Sequence, residues 1–113
     1  MNYSDTHAHT KFQSRMFDER KLSTVKRIAK DLHIDGTIEN SDRANKRFKI
    51  TLNDGTVIHF GLWPFQRHGA FIDHRDENIK RAWQARHIKI LKDGEPAYLN
   101  PYSPEYYSWH LLW

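Results

Sequence analysis

The stretch KRFKITLNDGTVIHFG, residues 46–61, decides the fold because it contains two short alternating segments joined by a tight turn. On both sides of the Asn-Asp-Gly triplet, large apolar residues alternate with polar ones. This period of two is typical of a strand with one face buried and one face in solvent. The stretch therefore predicts an antiparallel β-hairpin.

Two pairing registers are open to this hairpin. A two-residue Asp-Gly turn would place Ile50 beside His59, whereas a three-residue Asn-Asp-Gly loop places Ile50 opposite Ile58. The three-residue loop also places Phe48 opposite Phe60 and requires a left-handed glycine. We predict this second register, because it keeps the large apolar residues on one face and burial selects for that.

Helical patterns flank the hairpin. Apolar residues between 18 and 33 recur along one helical face, basic residues lie mostly on the other, and Asp35-Gly36 should stop this helix. A second helix is centred on 72–87, where Asp73 or Asp76 can cap its acidic first turn. Its apolar stripe should place Ile79 and Trp83 against the hairpin.

The remaining segments complete the prediction. Residues 36–39 can add a third strand, the aromatic loop LWPFQRHGAF can cover the core, and a short final helix should begin at Pro104 with Ser103 as its cap. We therefore predict an α+β fold: an amphipathic N-terminal helix, an antiparallel sheet of two or three strands, a second helix packed on the sheet, and an aromatic C-terminal segment. Residues 1–15 are predicted to be a flexible arm and residues 16–113 a single domain.

Composition excludes several classes of protein. The 113 residues contain no cysteine, which excludes disulfides, thiolate zinc sites and cysteine nucleophiles. No apolar run approaches the roughly 20 residues that a membrane span requires. With 18 Lys and Arg against 14 Asp and Glu, the net charge of +4 permits contact with nucleic acid or an acidic protein without requiring it.

The eight histidines raise the question of a metal or acid–base site. His74 lies next to Asp73 and Asp76, but the sequence has no HExxH motif and no nucleophile motif. A His-based metal nuclease of the HNH type would carry a histidine pair after the first hairpin strand, where Leu52-Asn53 stands. We predict no catalytic residue, no metal and no cofactor, and we expect His7 and His9 to belong to a solvated arm.

Two sets of side chains are candidates for contact with partners, because aromatic residues and arginine are enriched in protein interfaces and basic helix faces suit phosphate. The predicted protein-binding residues are Trp63, Phe65, Arg86, Trp109, Leu112 and Trp113. The predicted nucleic-acid contacts are Lys26, Arg27 and Lys30 on the first helix and Arg75, Lys80 and Arg81 on the second.

Four short motifs follow one another along the second half of the chain: Phe60-Gly61, then residues 73–76 (DHRD), then residues 85–87 (ARH), then Leu111-Leu112-Trp113. In this order and spacing the chain resembles a family of small proteins of large nucleocytoplasmic DNA viruses and some marine phages. The resemblance covers roughly residues 46–113. It implies a virion protein or a virus-encoded small protein, and it implies no known catalytic activity.

The expected function is therefore that of a viral structural protein, a minor capsid or capsid-associated component acting through contacts with other virion proteins. Its expected location is the virion, and the host cell interior during assembly. The alternative is a small basic nucleic-acid-binding viral protein. We also expect residues 109–113 to dock partly on the chain's own core and partly on a neighbouring virion protein. Without them, a hairpin domain that stays soluble should keep much of its secondary structure.

Overall fold

The architecture alternates helices with a small sheet, as predicted. The computed structural model describes residues 18–65 and 67–113, so the predicted arm and its histidine pair lie outside the described residues. The helices are α1 (Leu22–Asp31), α2 (Phe71–His74), α3 (Glu77–His87) and α4 (Pro104–Tyr107), with a 3₁₀ turn at Ala97–Leu99 and a π-helical turn at Ser108–Leu112. The strands are β1 (Thr37–Asn40), β2 (Lys46–Thr51), β3 (Val57–Leu62), β4 (Leu91–Lys92) and β5 (Glu95–Pro96).

The hairpin of β2 and β3 has the predicted register. Ile50 pairs with Ile58 and Phe48 pairs with Phe60. Leu52 and Thr56 close the three-residue loop with a 2.8 Å hydrogen bond, and Gly55 is left-handed at φ 89°. The third strand is confirmed as well, since β1 pairs antiparallel with β2 and makes the order β1-β2-β3.

One face of this sheet carries the hydrophobic core. Helix α1 covers it with Val25 and Ala29, and the C-terminal segment covers it with Tyr107, Leu111 and Leu112. These five side chains are buried together with the apolar residues of the three strands. The core is thus assembled from both ends of the described chain, which pack together on one face of the sheet.

Helix α1 is shorter than the pattern predicted, at both ends. It begins at Leu22 because the carboxylate of Asp18 accepts hydrogen bonds from the backbone N–H groups of Leu22 and Ser23. His33, at φ 57°, takes the left-handed position that ends the helix, three residues before the predicted stop at Gly36. A left-handed histidine is uncommon, so a prediction that places the helix end at a glycine misses it.

The second predicted helix is interrupted, which corrects the continuous helix over residues 72–87. Arg75 is left-handed at φ 59° and separates α2 from α3. Beyond the break, the backbone N–H of Asp76 donates to Nδ1 of His74 at 2.9 Å. The carboxylate of Asp76 then caps α3 by accepting from the N–H groups of Asn78 and Ile79. Local capping interactions therefore start a new helix where the apolar stripe suggested continuation.

This second helical region meets the core at its beginning. Ile72 of α2 is buried in the same core as the sheet residues. Trp83 of α3, which the sequence placed against the hairpin, instead stacks on Trp113 with ring centroids 4.7 Å apart. The prediction for Trp83 was wrong because the C-terminal segment lies where the indole was expected to meet the strands.

The C-terminal helix begins as predicted. Pro104 is its first residue, and the hydroxyl of Ser103 caps it by accepting from the N–H of Glu105 at 3.1 Å. Before it, strands β4 and β5 pair antiparallel in a second, two-stranded ladder. Within residues 18–65 and 67–113, no helix combines the length and apolarity needed to cross a membrane.

Candidate binding groove

The site begins where β3 runs beneath the C-terminal segment. Gly61 of β3 is left-handed at φ 81°. A Cβ atom at this position would lie 2.9 Å from Cδ1 of Leu112 and 3.0 Å from Cβ of Arg47. Only glycine lets the strand approach both side chains this closely, and this explains the Phe-Gly motif at the end of the strand.

Arg47 is a buried charge, with 1% of its side chain exposed. Its guanidinium donates two hydrogen bonds to the Asp73 carboxylate, at 2.7 and 2.9 Å, and its Nε donates to the carbonyl of Arg20 at 3.0 Å. Asp73 also accepts from the N–H of Ala70 at 2.8 Å. The pair therefore ties β2 to the start of α2 and to the segment before α1.

The electrostatics of this pair favour the ionised carboxylate. Burial raises the pKa of Asp73, but the hydrogen bonds from Arg47 and Ala70 and the charges of Arg47 and Lys21 outweigh it and hold the pKa below its ordinary value of 3.8. Lys21 lies 3.6 Å from the carboxylate. The buried arginine is thus neutralised by Asp73 within the fold.

The aromatic loop after β3 is anchored on this buried arginine. The Arg47 guanidinium carbon lies 5.5 Å from the ring centroids of both Trp63 and Phe65. The Trp63 and Phe65 rings meet edge to face, with centroids 5.3 Å apart. The guanidinium carbon of Arg20 also lies over the Trp63 ring, 5.0 Å from its centroid. Cation–π contacts of this kind hold the loop against the sheet and form one wall of the site.

The opposite wall is an aromatic stack on α3. Trp83 lies between His87, at 3.8 Å, and Trp113, at 4.7 Å, with interplanar angles of 13° and 7°. Trp109 meets Trp83 at 5.7 Å and stacks on Tyr98 at 4.4 Å. These contacts join α3 to the C-terminal segment without a direct hydrogen bond between backbones.

A histidine–carboxylate pair closes the end of this wall. Nδ1 of His87 lies 2.6 Å from Oε1 of Glu105, so one ring nitrogen is committed to the carboxylate. His74 makes a different arrangement near Trp113: its Nδ1 accepts from the Asp76 backbone, and its Nε2 is buried with no hydrogen-bond partner among the described residues. Burial, together with the neighbouring charge of His68, lowers the pKa of His74 and favours its neutral form.

The two walls enclose an open groove of about 450 Å³ between the loop, the sheet and the C-terminal segment. Four cationic residues line it, namely Lys46, Arg47, Arg67 and Arg86, and the sole carboxylate among the lining residues is Glu105. The apolar surface comes mainly from Leu62, Phe65, Trp83, Leu112 and Trp113. The groove is therefore both apolar and positively charged.

Four of the six predicted protein-binding residues meet in this groove, namely Phe65, Arg86, Leu112 and Trp113. Trp63 and Trp109 lie behind the walls, where they pack on Arg47 and on Trp83. They support the groove rather than line it. Whether the four lining residues contact a partner stays a prediction.

The six predicted nucleic-acid contacts lie on different elements and outside the groove. Lys26, Arg27 and Lys30 are exposed on α1, whereas Arg75 lies at the break between α2 and α3. On α3, Lys80 rests over the Phe71 ring at 4.5 Å. None of the six lines the groove between the loop and the C-terminal segment.

Sequence reasoning missed Lys46, Arg67 and Glu105 as groove residues, and it missed the role of Arg47. Arg47 alternates with Phe48 in β2, so the sequence indicates a solvent-facing side chain. The loop, the segment before α1 and Asp73 of α2 bury it. The sequence places Glu105 in the first turn of α4, where an acidic residue is common. That position does not predict its contact with His87.

Chemically, the groove is suited to binding. In the part of the chain that the structure describes, no group of three or more His, Asp or Glu side chains is placed to hold a metal ion. The best-placed polar groups are fixed cations beside apolar side chains, which suit a ligand with a negative and an apolar part.

Residues 36–87 match a family described as a family of unknown function (DUF5754). No curated protein and no solved structure matches the chain. The matched stretch runs from the start of β1 to the end of α3, so it includes Arg47, Asp73, Arg86 and His87. The C-terminal segment that completes the groove lies beyond the matched residues.

Proposed function

We propose that this protein is a viral structural component, a minor capsid or capsid-associated protein, and that it works by docking a segment of a neighbouring virion protein in the groove. The viral setting is supported by the resemblance of its four motifs to small proteins of large DNA viruses. The docking role is supported by the groove itself. We further propose that the protein acts through binding and not through catalysis.

The observation that carries the docking role is apolar surface left in solvent inside a formed groove. Leu62 is 50% exposed and Phe65 is 37% exposed, and both line the groove beside Leu112 and Trp113. Apolar side chains gathered in one concave site are characteristic of a surface that a partner covers. Scattered exposed apolar residues would not support the same proposal.

The walls are also fixed before a partner arrives. Gly61, Arg47 and Asp73 hold the sheet side, and the stack of His87, Trp83 and Trp113 holds the helix side. A preorganised site loses less conformational entropy on binding than a mobile one. This favours docking of a short segment, since such a segment offers few contacts to offset ordering costs.

The test is incorporation into particles. A virus encoding Leu62→Ser with Phe65→Ser should yield virions depleted of this protein, measured by quantitative mass spectrometry of purified particles. The matched control is Leu99→Ser, because Leu99 is 58% exposed and lies outside the groove lining. The control should incorporate normally, and circular dichroism should show both variants folded.

Two results would reject the proposal. One is absence of the wild-type protein from purified virions. The other is normal incorporation of the Leu62→Ser, Phe65→Ser chain, because a docking groove cannot lose both exposed apolar side chains and keep its partner.

A further inference from the structure

We infer that the segment bound in the groove is acidic: a peptide carrying carboxylate side chains next to an apolar anchor residue. This inference rests on the proposed docking function and names the chemistry of the partner. Lys46, Arg67 and Arg86 supply three permanent positive charges to the lining, against the single carboxylate of Glu105. The groove therefore carries an excess of positive charge that a partner can complement.

The internal pairings leave this excess in place. Glu105 is already committed to His87 at 2.6 Å, and the buried Arg47 is neutralised by Asp73. Arg67 and Arg86 are both exposed. A guanidinium offers a planar pair of N–H donors that match a carboxylate, so two exposed arginines in one groove favour carboxylate ligands.

The apolar part of the groove determines the second requirement. Leu62 and Phe65 lie on the sheet and loop side, and Leu112 and Trp113 lie on the C-terminal side. An aliphatic or aromatic side chain of the partner can fill the space between them while its acidic neighbours reach the arginines. A purely acidic ligand would leave this apolar surface in water, which is unfavourable.

The aromatic rings argue for a peptide over a nucleic acid. Single-stranded nucleic acid binds by stacking bases on free aromatic faces. Both faces of Trp83 are covered, by His87 at 3.8 Å and by Trp113 at 4.7 Å, and Trp113 contacts His74 at 5.3 Å as well. Phe65 has the Arg47 guanidinium over its ring. The groove thus offers apolar edges and charge, and its Trp83 ring has no face left for a base.

The experiment uses the full chain and fluorescence anisotropy with three labelled probes: a peptide alternating Glu with Leu and Phe, the same peptide with Gln for Glu, and oligothymidylate. The acidic peptide should bind, and the affinity of the Gln peptide should be lower by a factor of about ten or more. Arg67→Glu with Arg86→Glu should abolish binding of the acidic peptide. The matched control, Lys26→Glu with Lys30→Glu, changes the net charge equally on exposed residues of α1 and should leave binding intact.

Contrary outcomes separate this inference from the function it rests on. Binding of oligothymidylate in place of the acidic peptide, or equal binding of the Gln peptide, overturns the acidic partner. So does normal incorporation of the Arg67→Glu, Arg86→Glu chain into virions. If that chain incorporates while the Leu62→Ser, Phe65→Ser chain does not, the docking function stands and only the acidic chemistry fails.

Discussion

At the scale of single residues, Arg47 has the largest structural consequence because it is a charge buried between three segments. It bonds Asp73 in α2 and the carbonyl of Arg20, and it lies against the rings of Trp63 and Phe65. A buried ion pair of this kind contributes little net stability when intact, since desolvation offsets the attraction. Its loss is costly, because the surviving charge stays buried without a partner.

We therefore expect Asp73→Asn to lower the free energy of unfolding by about 3–5 kcal/mol, measured by urea denaturation. Asp42→Asn is the matched control. Asp42 pairs with Lys49 at 3.7 Å, but its side chain is 79% exposed, so the same substitution there should have a much smaller effect on the free energy of unfolding. Equal costs for the two variants would mean that the Arg47–Asp73 pair is solvated in solution.

A second residue-level prediction concerns pH. Burial lowers the pKa of His74 below its ordinary value of 6.5, and burial also lowers the pKa of His59. A histidine with a depressed pKa in the fold takes up its proton more readily in the unfolded chain, so stability should fall as the pH drops through 6.5. Below 3.8 a further loss should follow, because protonation of Asp73 removes the partner of Arg47.

His74→Asn tests the histidine contribution, because Asn Oδ1 can replace Nδ1 as the acceptor for the Asp76 N–H. Urea unfolding on either side of pH 6.5 should show a smaller loss of stability for this variant than for the wild type. An unchanged slope for His74→Asn would contradict the prediction.

At the scale of elements, the break between α2 and α3 depends on one left-handed residue. Arg75 is exposed at φ 59°, a conformation that costs a non-glycine residue roughly 1–2 kcal/mol. Arg75→Gly should therefore raise the free energy of unfolding by about 0.5–1 kcal/mol, after allowance for the added entropy of the unfolded chain.

The control for Arg75→Gly is the same substitution inside a helix. Arg81 is exposed in α3, and Arg81→Gly should lower the free energy of unfolding by about 1 kcal/mol. Thermal or urea unfolding of the two variants should give opposite signs. Destabilisation by both would show that α2 and α3 form one continuous helix in solution.

At the scale of the whole molecule, the C-terminal segment belongs to the core and is not a separate layer. Leu111 and Leu112 are 1% and 2% exposed and pack with the sheet residues, while Trp113 stacks on Trp83. Loss of a buried leucine costs about 2–5 kcal/mol, and a small domain has only about 5–15 kcal/mol in total. This burial argues against the expectation that the hairpin keeps much of its secondary structure without residues 109–113.

Deleting residues 109–113 should accordingly unfold the entire chain. Far-ultraviolet circular dichroism should show loss of the sheet, and hydrogen exchange should show no protected amides in β2. Leu99→Ala, which trims an exposed side chain, should leave both signals unchanged. A truncated chain with protected β2 amides would mean that α1 and the sheet fold without the C-terminal segment.

The sequence left open whether the sheet has two strands or three. The hairpin register, the cap at Ser103 and the α+β fold were determined by the sequence alone. Each depends on residues close together in the chain: alternation around Asn-Asp-Gly, or a hydroxyl two residues before the N–H that it caps. The break between α2 and α3 also depends on neighbouring residues, His74 and Asp76, and could have been predicted from the sequence. The prediction gave more weight to the apolar stripe, which suggested one continuous helix.

The groove was decided by the tertiary structure. Arg47 and Asp73 are 26 residues apart, and His87 and Glu105 are 18 apart, so no local pattern links either pair. Alternation assigned Arg47 to solvent, and helical periodicity assigned Trp83 to the sheet. Burial depends on what the rest of the chain places over a residue. For Arg47 that cover comes from segments distant in sequence, and for Trp83 one of its two stacking partners, Trp113, does.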